Sequence, residues 1–182
     1  MSPCRPHFNR RHATGLMLGM GMALGGPPGF AQAAPAEVAT PAATAPELRG
    51  TTLDGQPFDL AALRGKVVMV LFWSTDCAVC RDKMPELRAN LKGWQGRPFE
   101  LVGVSTDRDR AAIETHHRLV QLTVPESQRF TSLWIGDNQH RNSFGPPGQL
   151  PAVFLLDKAG RVVESHHGRV PAQTWDRIAD LL

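Results

Sequence analysis

The chain has few cysteines and no concentration of like charge, and each absence narrows what it does. Only three cysteines occur among 182 residues. Structural zinc takes four ligands, usually two Cys-x-x-Cys pairs or one pair plus histidines, and no second pair exists here. Charge is sparse in the same sense. Three of the 20 basic residues, Arg5, Arg10 and Arg11, fall within residues 1–33, where there is no acid, so the remaining 17 basic residues are balanced by 17 acidic ones. A nucleic-acid surface announces itself as a basic patch or stripe, and none is present. There is no internal repeat, and no linker after residue 46 to divide the chain into further domains.

The longest apolar stretch near the start, Leu16 to Leu24, is too short to span a bilayer and stops at Gly25-Gly26-Pro27-Pro28. It follows the basic Arg10-Arg11 and precedes Ala31-Gln32-Ala33, whose small residues suit a signal peptidase. Residues 1–33 therefore read as a signal peptide cleaved after Ala33. An uncleaved segment would leave the chain membrane-anchored. The paired arginines raise the twin-arginine route, but His12-Ala13-Thr14 stands where that signal has bulky apolar residues. Residues 34–46, rich in Ala, Pro and Thr, cannot bury enough apolar surface to fold and read as a tether. Export implies a periplasmic or other extracytoplasmic compartment in which disulfides persist. Cys4 leaves with the signal, so the mature chain keeps Cys77 and Cys80. A disulfide across so small a loop restricts the unfolded chain little, which turns attention from structure to chemistry.

Beyond residue 46 the pattern alternates. Leu48 to Leu60 reads as a hairpin turning at Asp54-Gly55, followed by a short helical turn from Leu60 to Arg64. Val67 to Trp73 is a continuous apolar run, the signature of a strand buried on both faces. Asp76 is placed to cap a helix beginning at about Cys77, with an apolar stripe through Met84, Leu87, Leu91 and Trp94 and a kink expected at Pro85. A second strand at 99–105 and a helix from Asp107 to about Leu122 follow. Residues 123–138 are ambiguous, and His140 to Phe144 reads as a short helix. Strands at 152–157 and 161–165 form a hairpin about Lys158-Ala159-Gly160, and Thr174 to Leu182 closes as a helix. The first half demands parallel pairing with right-handed crossovers; the second adds antiparallel strands.

A central strand running into Cys-x-x-Cys at a helix start matches a redox motif. The first sulfur meets unpaired backbone N–H groups and the positive end of the helix dipole, which favour thiolate. The second lies one turn along, within reach. This makes Cys77 the expected nucleophile and Cys80 the resolving thiol, with their own disulfide as the redox group and no other cofactor. A metal site is not expected: His116-His117 and His166-His167 are adjacent pairs whose side chains diverge and read as solvated surface groups.

Two blocks, Leu63 to Leu87 around the cysteines and Gly148 to Val163, resemble the TlpA/ResA-like branch of the thioredoxin superfamily, and with the hairpin at 48–60 the likeness covers about residues 47–182. The resemblance implies an α/β thioredoxin-like fold: a mixed sheet of four to five strands flanked by helices, on both faces, with an N-terminal β-hairpin. It implies a cis peptide before Pro151, backbone hydrogen bonds from Leu150 to an extended substrate, and Trp73 beside the redox centre. It implies reduction or exchange of disulfides in exported proteins, cytochrome c maturation among the familiar roles, with electrons from a membrane thiol relay. A monomer is expected, with no nucleic-acid partner.

Departures from the family pattern bear on the chemistry. Asp76 stands where many relatives have Trp, and its carboxylate opposes thiolate at Cys77 unless it is spent on the cap. Val79 replaces a common Pro. Leu71 occupies the position of a buried acid, and Ala78-Val79 carries no glutamate, so the proton route for Cys80 has no assigned residue; Glu86, the nearest downstream carboxylate on the helix, reads as a surface charge. An oxidase needs a strongly stabilised thiolate that Ala78-Val79 does not help to supply. A peroxidase motif would need proline at Val70. A copper-handling module would space its cysteines by three residues.

Overall fold

The computed structural model describes residues 45–182. The expected signal peptide, its cleavage site and all but the last two residues of the tether lie outside the described residues.

The chain builds eight strands and three α-helices over these residues: β1 (Leu48–Thr51), β2 (Pro57–Asp59), β3 (Val67–Trp73), α1 (Ala78–Gly93), β4 (Phe99–Ser105), α2 (Arg110–Thr123), β5 (Thr131–Trp134), β6 (Arg141–Asn142), β7 (Ala152–Leu156), β8 (Val162–His167) and α3 (Gln173–Leu181). The main sheet has five strands in the order β5-β4-β3-β7-β8, and a second sheet of three runs β2-β1-β6. β3 pairs parallel with β4 and antiparallel with β7, so it is central, as a run with every residue buried must be. β4 pairs parallel with β5 and β7 antiparallel with β8.

Alternation along β3 sorts the interior into two layers. Val67, Met69, Leu71 and Trp73 point into a cluster with Cys80, Met84 and Leu87 of α1, Ile113 of α2 and Ile178 of α3. Val68, Val70 and Phe72 point the other way, against Leu48 of β1, Leu60 of the 3-10 turn Leu60–Leu63, and the half-buried Phe58 and Phe144. The helices thus share one face of the main sheet, and the small sheet covers the other, where helices were expected as well. β3, α1, β4, α2, β5 step steadily toward one edge, and right-handed crossovers made in one direction place both helices on one side. Gly103 in β4 is required by packing: a Cβ there would come within 2.7 Å of the Phe130 ring.

Two segments differ from expectation. Residues 123–138 contain the edge strand β5, and His140 to Phe144 is not helical. Arg141 and Asn142 pair antiparallel with Arg49 and Leu48 of β1, and Ser143 N–H donates to the Glu47 carbonyl at 3.0 Å. Five residues close too few helical bonds to repay nucleation, whereas the free edge of β1 offers partners at once. Helix α2 begins three residues later than expected, at Arg110, capped by Asp109, whose side chain accepts from the Ala111 N–H. Pro85 lies inside α1, which stays helical through it. Among the described residues no helix is long and apolar enough to cross a membrane.

Candidate active site

The site stands at the carboxyl ends of β3 and β4, where a parallel pair of strands opens into loops. β3 ends at Trp73, and the loop Ser74-Thr75-Asp76 carries the chain to α1. That loop is tied to β4 rather than left to its own turn. Thr106 donates its backbone N–H to the Trp73 carbonyl at 2.8 Å. Asp107, buried, accepts from the Thr75 N–H at 2.9 Å and the Thr75 hydroxyl at 2.6 Å through one carboxylate oxygen, and from the Ser105 hydroxyl at 2.6 Å through the other. Hydrogen bonds to an ionised acceptor are among the strong ones. Arg81 reaches back from α1 to donate to the Thr75 carbonyl at 2.7 Å.

Cys77 is the N-cap of α1. Its backbone is extended, with φ −76° and ψ 104°, and its own sulfur accepts the Cys80 N–H at 3.1 Å. The expected cap, Asp76, is otherwise engaged: its carboxylate accepts from the Ser74 hydroxyl two residues back. Its charge is therefore not spent on the helix end. Cys77 and Cys80 form a disulfide with their Cα atoms 5.2 Å apart. They differ in access. Cys77 is half-buried, while Cys80 is 2% exposed and packs with Trp73, Met84, Val153 and Val170. An incoming sulfur meets Cys77 first.

Opposite the pair, the Leu150–Pro151 peptide bond is cis. Leu150 is half-buried, and its backbone enters no loop or turn hydrogen bond with the described residues. It borders an open groove together with Ser74, Thr75, Asp76 and Arg108. A smaller cavity is lined by Val79, Lys83, Glu86, Pro151 and Arg169. The structure thus brings Trp73, Cys77, Cys80, Leu150 and Pro151 together, with Asp76 on the groove wall.

Glu86 is no free surface charge. Lys83 bonds it at 2.8 Å, and Trp175 donates its indole N–H to it. Burial opposes its ionisation, but the bonds from Lys83 and Trp175 and the lysine's charge outweigh that and lower its pKa below the ordinary 4.5. Of the paired histidines, His167 is exposed as expected, while His116, His117 and His166 are half-buried, and all four are engaged. His116 lies edge-on to Trp73 with ring centroids 4.9 Å apart, and His117 meets Asp54 at 2.9 Å. His166 bonds Glu164, and His167 bonds the Pro147 carbonyl at 2.9 Å. No group of three or more His, Cys, Asp or Glu suited to a metal exists among the described residues.

Thr75, Arg81, Ser105 and Asp107 were not foreseen. Arg81 and Thr75 give no signal in sequence. Ser105-Thr106-Asp107 does give one, since polar residues just past the carboxyl end of a parallel strand are where α/β folds place their sites.

The AhpC/TSA family model matches residues 41–165. The chain is 31% identical over 138 residues to the thiol-disulfide oxidoreductase ResA of a Bacillus cereus strain, an alignment covering 76% of this chain and 74% of that protein. Among solved structures, the thioredoxin domain of a thiol-disulfide oxidoreductase from Bacteroides vulgatus superposes with a TM-score of 0.59 at 21% identity, covering 75% of this chain and 93% of that one. A thiol:disulfide interchange protein of the thioredoxin family from Chlorobium tepidum TLS gives 0.57 at 24% identity, covering 75% and 92%.

Proposed function

We propose, from the premise that the chain belongs to the AhpC/TSA family and within it to the ResA-like thiol–disulfide oxidoreductases, that it works outside the cytoplasm as a reductant of disulfides in exported proteins. The observation that carries this reading is the asymmetry of the pair: Cys77 caps the helix with an approachable sulfur that accepts the Cys80 N–H, and Cys80 is sealed beneath it. On reduction, that N–H and the helix N-terminus stabilise charge on the Cys77 sulfur. Cys77 attacks a substrate disulfide, forming a mixed disulfide and expelling one substrate thiolate. Cys80 then attacks the Cys77 sulfur, restores the internal disulfide and releases the second substrate thiolate. Two electrons pass to the substrate, and the dithiol pair is the only redox group the cycle requires.

The groove beside Leu150 supports binding of an extended segment through backbone hydrogen bonds, with Trp73 and Cys80 sharing the buried layer beneath it. The Lys83–Glu86 pair lines the cavity next to Val79 and Pro151. The signal-like residues 1–33 support delivery to the periplasm or an equivalent compartment. A membrane thiol relay would re-reduce the pair there, and apocytochrome c cysteines are one substrate class that fits.

The test is the reduction potential of the purified chain in glutathione or dithiothreitol buffers. A value near about −270 mV fits a reductant, and one near about −120 mV makes the protein a disulfide donor. Role assignment follows from trapping: Cys80→Ser should accumulate a mixed disulfide through Cys77, and Cys77→Ser should trap none.

A further inference from the structure

Between β3 and α2 lies a part-enclosed cavity that the redox chemistry does not use, lined by Trp73, Arg88, His116, Phe130 and Ser132 among others. Its polar lining is unusual in what it leaves unmet. The Trp73 indole N–H is fully buried and has no hydrogen-bond partner, and neither has the buried Nε of Arg88. Arg88 takes no part in the ion pairs of the described residues. Buried donors without acceptors are rare because each forfeits its hydration. Both belong to residues lining this one cavity, one of them a permanent cation, and an acceptor inside it would serve them.

The protein supplies no anionic one. No carboxylate of the described residues lines the cavity. The nearest ones are occupied: Asp54 bonds His117 and Gln121, and Asp107 holds Thr75 and Ser105. Arg129, also on the wall, is spent on the Val124 and Gln121 carbonyls and the Gln121 side chain. His116 adds no opposing charge; burial and the nearby Arg88 both hold its pKa below 6.5. The walls are therefore net cationic, and the space is of water or halide size.

We propose that this cavity is a binding site for a small monovalent anion of halide size, with Arg88 as its counter-charge and the Trp73 indole N–H as its directed donor. A carboxylate-bearing metabolite is too large for it, and a water would satisfy the donors but leave the guanidinium unneutralised.

The test uses the full chain. Thermal unfolding is followed in rising sodium chloride or bromide against sodium gluconate at matched ionic strength, and halide exchange is followed by line broadening of the chloride-35 resonance. The expected result is a saturable rise in Tm with halide that gluconate does not give, together with broadening. Arg88→Met should abolish both, and its Tm in gluconate should match or exceed the parent's, since a half-buried unpaired charge is gone. Trp73→Phe keeps the ring and removes the N–H, and should weaken apparent halide affinity about tenfold, the loss expected of one charge-assisted bond. Equal Tm in halide and gluconate with no broadening overturns the proposal in favour of water. A halide response that survives Arg88→Met overturns it too, because the anion then binds elsewhere; if Arg88→Met fails to fold, Trp73→Phe decides by the same two readouts.

Discussion

The two faces of strand β3 meet different company. Toward the small sheet, Val68, Val70 and Phe72 lie against aliphatic and aromatic side chains, with Phe72 edge-on to both Phe144 and Phe154 at 5.8 and 5.9 Å. Toward the helices, Met69, Leu71 and Trp73 share their layer with a disulfide, a buried indole N–H without a partner and a half-buried guanidinium. On the first face the side chains of β3 meet only apolar neighbours, and the unpaired buried atoms on that side, His140 Nδ1 and Asn142 Oδ1, belong to the covering sheet and its approach. On the other, β3 itself carries an unpaired polar atom, the Trp73 N–H, in the layer that holds the reactive pair. The fold separates the two tasks by a single peptide unit, since side chains one residue apart on a strand point to opposite faces.

The comparison breaks most visibly at Phe72. Phe72→Ala should cost about 3–5 kcal/mol by denaturant unfolding and leave the reduction potential of the surviving native protein unchanged. A shift in potential would mean that the faces are coupled and the separation is wrong. Asp107→Asn is the next largest effect. It retains the side-chain volume but removes the charge that Thr75 and Ser105 donate to, and should cost on the order of 1.5–3 kcal/mol. Because the loop before Cys77 loses its anchor, reaction with a peptide disulfide should slow as well.

The smallest effect is a pH dependence to which both faces contribute. Burial lowers the pKa of His116 on the helix side and of His140 against β1, each from an ordinary 6.5. A depressed histidine is neutral in the folded protein while the unfolded chain takes up the proton more readily. The stability it contributes is complete above pH 6.5 and is lost as pH falls from there through the folded value. A second decline should follow below about pH 4.5, where the unfolded chain begins to protonate Glu86 and Glu164, whose folded values are lowered. Unfolding free energy measured across pH 8 to 4 should show the first stage as a decline that begins near pH 6.5. His116→Gln and His140→Gln should each remove part of it, and whichever removes more identifies the face that titrates.

Sequence reading succeeded where local pattern and tertiary role coincide. β4 was legible to its ends, and the buried run of β3 was legible because burial on both faces leaves a continuous apolar stretch that little else produces. Cys-x-x-Cys at the head of a helix carried its own geometry. Most of the failures share a cause as well: they depend on a partner distant in the chain. Arg141 and Asn142 became a strand because β1 had a free edge nearly a hundred residues away. Helix α2 reads from Asp107 in sequence, but Asp107 is held by Thr75, 32 residues earlier, and the helix starts only after Asp109, which caps it. The cap of α1 passed from Asp76 to Cys77 for a nearer reason, since the Ser74 hydroxyl claimed the carboxylate. Glu86 looked like a surface charge because Trp175, 89 residues on, left no trace near it in sequence.

The latch around Asp107 has a consequence beyond positioning. The Thr75 amide sits in a half-buried loop beside a reactive pair, where backbone hydrogens are ordinarily replaced quickly by those of the solvent. Here that amide is bound to a carboxylate only 8% exposed, and none of the atoms in the latch is sulfur. Its deuterium uptake should therefore be slow and nearly the same in the oxidised and reduced protein. That would make it a fixed marker against which any redox-linked loosening at Cys77 and Ala78 is measured, residue by residue.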